Sequence, residues 1–224
     1  MPGQDLVLGA GPKDHSLRAD REIGIRSKPK APSDAFSPTE VRGVRRGATF
    51  ALAKSIHSEN LEVRMYRTRN DLPESARTKL VELLNARLAD AIDLQTQCKQ
   101  AHWNVKGPAF IALHKLFDEV NDAVEEYVDL IAERAVQLGG VAEGTARVAA
   151  KRSSLPEYPV KDGDGRAHVE ALSAVLSAFG KLVRAEIDRS NELSDADTAD
   201  LFTEVSRGVD KWLWFVEAPL QAER

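Results

Sequence analysis

Four long runs of apolar residues at spacings of three and four, closed by glycine or proline, limit this 224-residue chain to a bundle of helices. Leu80, Leu84, Leu88, Ala91, Gln95, Cys98 and His102 trace one face of the first run, which Gly107-Pro108 stops. Asp71-Leu72-Pro73-Glu74 reads as its start: Asp71 can cap, Pro73 suits the first turn, and Glu74 completes a capping box. The second run, opened by Pro108, passes through Ile111, Leu113, Leu116, Phe117, Val120, Val124, Val128, Ile131 and Leu138 and ends at Gly139-Gly140. A third helix is predicted from about Arg166 to Leu193. Ser194 can cap a fourth, which runs to Glu217 ahead of Pro219. There is no strand pattern and no internal repeat.

Loop lengths order these helices. Tight turns join the first to the second and the third to the fourth, so each pair is antiparallel. About 25 residues, Val141 to Gly165, separate the pairs and carry Pro156, Pro159, Gly163 and Gly165. That link can bring the chain back along the bundle. The expected fold is therefore all-α: a ferritin-like four-helix bundle over residues 70–220, with one long crossover between helices two and three. An up-down-up-down bundle with an ornamented loop is the alternative.

Residues 1–69 have another character. Eleven prolines and glycines fall between Met1 and Gly47, and apolar residues show no sustained period. They predict a largely disordered or extended N-terminal arm. Within it a short helix over Thr49 to His57, or a strap lying on the body, are both open. The arm holds 13 Lys/Arg and 8 Asp/Glu, a net of +5, against 18 and 27, a net of −9, for residues 70–224. Such a split is not that of a typical nucleic-acid-binding fold, although an arm alone can supply nonspecific phosphate contacts, with Arg42, Arg45 and Arg46 as candidates. The longest uncharged run in the helical part, Ala171 to Gly180, is far short of the ~20 residues of a membrane span, so no membrane partner is expected. No signal peptide is expected either. Cys98 is the only cysteine, which excludes an intrachain disulfide and fits a reducing cytoplasm.

The chemistry is concentrated between His102 and Glu133. His114 and Asp118 are four apart on the second helix, as are Asp129 and Glu133, and all four fall within a ~100° sector. Leu and Val share that face, where carboxylates are costly to bury unless paired or metal-bound. Nitrogen and oxygen ligands of this kind suit Fe(II), Mn(II) or Zn(II). Either pair alone is commonly a solvated surface pair, and Asp129 and Glu133 can instead pair with Arg134. From His114 to Glu133 is ~28 Å along the helix, so one metal cannot touch both pairs in one subunit. Either there are two sites, or two copies of the helix pack antiparallel about a twofold axis and the His/Asp end of one meets the Asp/Glu end of the other.

Lys99-Gln-Ala-His102-Trp103-Asn104-Val-Lys-Gly107-Pro-Ala-Phe110, then Leu113-His114-Lys-Leu-Phe117-Asp118, then Asp129-Leu-Ile-Ala-Glu133-Arg134, resemble the signature of Dps, the DNA-protecting mini-ferritins of starved bacteria. The likeness extends from about Met65 to Leu220, through Asp197-Thr198-Ala-Asp200 and Asp210-Lys211-Trp-Leu-Trp214-Phe. It implies a homododecamer around an iron-storage cavity. It also implies a ferroxidase site with His102, His114 and Asp118 from one subunit and Asp129 and Glu133 from its partner. Fe(II) would be oxidised there, preferably by hydrogen peroxide, and stored as ferric mineral without an organic cofactor. Trp103 resembles the family tryptophan beside the site, for electron transfer or for packing alone. Asp195, Asp200 and Glu204, at the start of the fourth helix with Asp197, would line threefold pores. The implied location is the cytoplasm, with nucleoid association as an alternative emphasis.

Larger ferritins use Glu-x-x-His on two helices, and no glutamate here has histidine three residues later. A shell with a degenerate site is disfavoured because all five ligand positions hold ligand-type residues. A nucleoid protein for which DNA compaction is primary turns on the arm, whose basic residues alternate with Asp14, Asp20, Glu22, Asp34 and Glu40. Weak, nonspecific DNA binding is the expectation. His57 with Glu59 or Glu62 is a candidate accessory metal site, against a solvated histidine.

Overall fold

The computed structural model describes residues 65–159 and 163–221. The expectations for Arg42, Arg45, Arg46, the Thr49–His57 helix and the His57, Glu59, Glu62 cluster lie outside the described residues. Among the described residues there are five helices: α1 (Glu74–Asn104), α2 (Phe110–Gln137), α3 (Ala146–Arg152), α4 (Gly165–Glu192) and α5 (Ala196–Gln221). The four long ones are those the periodicity predicts. The seven-residue α3, inside the crossover, is an addition. None of the described helices is long and apolar enough to cross a membrane.

The helix ends differ from the sequence reading in three places. The Asp71 capping box does not form. Pro73 itself is the residue ahead of α1, with no side-chain cap, and its carbonyl accepts the Ala76 and Arg77 amides. Pro73 itself occupies the capping position, which leaves Asp71 two residues short of it. At α5, Ser194 is not the cap. It takes φ 60°, and Asp195 beyond it receives the Thr198 amide and hydroxyl. α5 also continues through Pro219 to Gln221, because a proline in the last turn removes a single helical hydrogen bond.

The crossover settles the topology through a polar ladder along α1. The Asn85 side chain donates to the Val141 carbonyl and accepts the Glu143 amide. Asp90 accepts from the Ser154 amide (2.7 Å) and Asp93 from the Ser153 hydroxyl (2.6 Å). Gln97 donates to the Pro156 carbonyl, and the Lys106 amide to the Gly163 carbonyl. Apart from the neighbouring Ser153 and Ser154, the numbers rise together on both sides, so the described part of the crossover runs parallel to α1 from Asn85 to Lys106. α4 therefore begins where α1 ends and is antiparallel to it, which is the ferritin-like arrangement and not an up-down-up-down bundle.

Glycine lets the crossover leave α2 closely. Gly139 has φ 88°, and a Cβ on Gly140 would overlap both Val81 methyls and stand 2.9 Å from the Ala135 carbonyl. One apolar core runs through the bundle, with Phe117, Phe179 and Phe202 fully buried among leucines of α1 and α4. Met65 packs against it, and the Tyr66 amide donates to the Gly139 carbonyl, so the last residues before α1 lie along the body.

Candidate metal centre

Two elements bring the histidines together. His102 lies in the last turn of α1, and Gly107, at φ 103°, lets the chain reverse so that His114 returns one turn into α2. The two rings stack with centroids 3.8 Å apart at 21°. His102 Nδ1 lies 2.8 Å from the His114 carbonyl oxygen, and His114 Nδ1 lies 2.9 Å from that of His102. A carbonyl can only accept, so both Nδ1 atoms carry protons. In the neutral rings each Nε2 then keeps its lone pair for a metal. Backbone hydrogen bonds of this kind fix the tautomer and orientation of ligating histidines.

Asp118 sits one turn beyond His114, with Oδ1 3.8 Å from His102 Nδ1. The same oxygen accepts from Lys99 Nζ at 2.5 Å. That hydrogen bond, with the positive charge of Lys99, holds the Asp118 carboxyl below the usual carboxylate range, so it stays ionised. Lys99 is quoted in the sequence motif without a role. Its position three residues before His102, hence on the same helix face, is the signal that points to it.

Asp129 and Glu133 are exposed near the far end of α2. This corrects the expectation that they lie within the apolar stripe. The buried stripe runs through Phe117, Val120, Val124, Tyr127, Ile131 and Ala135, and the two acids fall beside it. Among the described residues no three His, Cys, Asp or Glu side chains converge to hold a metal within one chain. The chain thus pairs the two imidazoles, puts Asp118 beside them on Lys99, and leaves the second acid pair ~16 to 28 Å away. Trp103 is 66% exposed and borders an open cleft of 1080 Å³ together with Lys99, Gln100, Asp122 and Tyr158.

The residues at the start of α5 separate. Asp195 is 3% exposed, and both its oxygens take the Arg134 guanidinium at 2.8 and 3.0 Å. Burial pushes its carboxyl up, but hydrogen bonds from Thr198 and Arg134 outweigh that and hold it low. It is a cap and a clamp between α2 and α5, so its carboxylate has nothing left for a pore. Asp197, Asp200 and Glu204 are exposed.

The Ferritin-like domain family matches residues 81–224. A protein of Agrobacterium fabrum named DNA protection during starvation protein is 42% identical over 159 residues, 71% of this chain and 98% of that one. The DpsA14 structure from Streptomyces coelicolor has a TM-score of 0.68 at 33% identity, covering 71% of this chain and 94% of that chain. A Dps from Microbacterium arborescens, solved in a high iron form, has a TM-score of 0.63 at 31% identity, covering 70% and 99%. With its crossover, its paired imidazoles and these matches, the chain belongs to the ferritin-like proteins and, among them, to the Dps family.

Proposed function

We propose that this protein is a ferroxidase that oxidises Fe(II) with hydrogen peroxide at sites shared between two subunits, and stores the ferric product inside a homododecamer. The observation that carries the reading is the stacked imidazole pair, whose Nδ1 atoms are both committed to carbonyls so that both Nε2 atoms remain for iron. The high iron form of the Microbacterium arborescens relative supports iron as the metal. Fe(II) arriving at His102 and His114 would take the Asp118 oxygen from Lys99. Asp129 and Glu133 of a second copy would complete the ligand set. Exposed apolar side chains flank both ends, Trp103 and Ile111 near the histidines and Leu130 and Val136 near the acids, as a face awaiting a second copy needs.

The electron balance gives the benefit. Two Fe(II) give one electron each to one peroxide, its O–O bond breaks to two hydroxides, and the Fe(III) hydrolyses to mineral. No hydroxyl radical is released. This accounts for DNA protection, the role that the relatives' names carry, without requiring contact with DNA. Nonspecific DNA binding through the +5 arm, including Arg42, Arg45 and Arg46, stands as the secondary reading. Asp200 and Glu204, with Asp197, are the acids proposed to draw Fe(II) through the shell.

Stopped-flow mixing of iron-free protein with Fe(II) tests the reading. Oxidation is expected to be faster with peroxide than with oxygen at equal oxidising equivalents. Asp200→Asn with Glu204→Gln is expected to slow uptake while the shell stays intact. Equal rates with both oxidants would remove the peroxide preference, and unchanged uptake would remove the two acids from the entry route.

A further inference from the structure

The crossover carries a buried phenol–imidazole pair that the reading above does not use. Tyr158 lies two residues past Pro156, whose carbonyl is held by Gln97 at 3.1 Å. Gln97 is five residues before His102, ~7.5 Å along α1. Gly163, farther along the crossover, is held by Lys106. Both anchors lie near the turn that carries the histidines, and Tyr158 lines the cleft bordered by Lys99, Gln100 and Trp103. The Tyr158 ring is 8% exposed and His168, in the first turn of α4, is 3% exposed. The phenol oxygen is 2.5 Å from His168 Nδ1, and the ring planes are 18° apart.

Burial, reinforced by nearby Cys98, pushes the Tyr158 phenol up, so it keeps its proton, and the hydroxyl lies against the imidazole nitrogen. A buried phenol gives up an electron readily only if its proton can leave at the same time, and His168 Nδ1 stands at hydrogen-bond distance to take it. Cys98 does not compete as a donor. Burial pushes its thiol up to about 12, so it stays protonated.

We infer that Tyr158 is a second electron donor to the peroxide reaction, with His168 as its proton acceptor, used when a site holds a single Fe(II). This inference rests on the ferroxidase reading. One Fe(II) supplies one electron, and peroxide needs two to break its O–O bond without releasing hydroxyl radical. Tyr158 supplies the other. The phenol proton moves to His168 Nδ1, and the products are Fe(III), two hydroxides, a neutral tyrosyl radical and an imidazolium. The next Fe(II) reduces the radical, and the proton returns from His168 to the phenol oxygen. The sum is the two-iron reaction, completed in two steps.

The test is freeze-quench electron paramagnetic resonance on the full-length assembled protein, loaded with fewer Fe(II) than sites and mixed with peroxide. Fe(III) formation is followed by absorbance in the same samples. A tyrosyl signal is expected in the parent protein and in Tyr66→Phe and Tyr127→Phe, the other two tyrosines, and is expected to be lost in Tyr158→Phe. His168→Gln keeps an acceptor for the hydroxyl but cannot take its proton, so radical formation is expected to slow by about a hundredfold. A purely structural staple predicts no such effect. Oxidation of Fe(II) without a tyrosyl signal, or a signal that survives Tyr158→Phe, overturns this inference alone. Absence of Fe(II) oxidation in the parent protein overturns the ferroxidase reading as well.

Discussion

A His102→Ala, His114→Ala chain and an Asp129→Ala, Glu133→Ala chain are each expected to be inactive as pure shells and to regain activity when assembled together. The first keeps its acids, and the second keeps its imidazoles. At a mixed twofold interface one site then has all five ligands and the other keeps only Asp118. Random assembly of equal amounts makes half the interfaces mixed, so roughly a quarter of the sites are complete. About that fraction of peroxide-dependent oxidation should return. The reason is length: α2 separates the two ligand pairs by ~16 to 28 Å, and no conformational change within a rigid helix closes that gap. If mixed shells of verified composition regain nothing, the shared site is wrong.

The largest effect on stability is expected at Arg87→Met. Arg87 lies in the bundle with its guanidinium 3.0 Å from Asp90 and 3.5 Å from Glu186, and their side chains are 10%, 0% and 2% exposed. Asp90 also receives the Ser154 amide and hydroxyl, so the cation neutralises a carboxylate that ties the crossover to α1. Methionine keeps the apolar stem and removes the charge, leaving Asp90 buried without its cation. Breaking one partner of a buried pair costs about 3–5 kcal/mol. The cost should appear as a lowered denaturant midpoint at fixed subunit concentration. Arg87→Met with Asp90→Asn should recover part of it, because asparagine still accepts from Ser154 without the charge. A loss below about 1 kcal/mol in the single variant would mean that the pair is effectively solvated.

Arg87 also shows what the sequence conceals. Arg87 and Asp90 at i,i+3 read as an ordinary helix-surface pair, and only α4, which brings Glu186 across, buries them. The four long helices were legible because their signals are local: apolar spacing, Gly107-Pro108 and Gly139-Gly140. The crossover was legible as a length, but its direction along α1 rests on Asn85, Asp90, Asp93 and Gln97, polar residues with no marking pattern. α3 escaped notice because seven residues are too few to show a period. Asp195 looked like a pore acid because its partner Arg134 is sixty-one residues away in sequence. His102, His114 and Asp118 were legible because a tight turn between two helices sets their spacing. The mutual carbonyl hydrogen bonds, Lys99 on Asp118 and the Tyr158–His168 pair all depend on side-chain placement across elements.

The proposed shared site is tested most directly by anomalous diffraction at the iron edge, from crystals of the assembled protein soaked anaerobically in Fe(II). The expected result is iron at each end of the twofold interface, against His102, His114 and Asp118 of one subunit and Asp129 and Glu133 of the other, giving two equivalent sites per pair. Iron held inside a single bundle, or bound at the histidines with the acids of both subunits remote from it, would contradict the account.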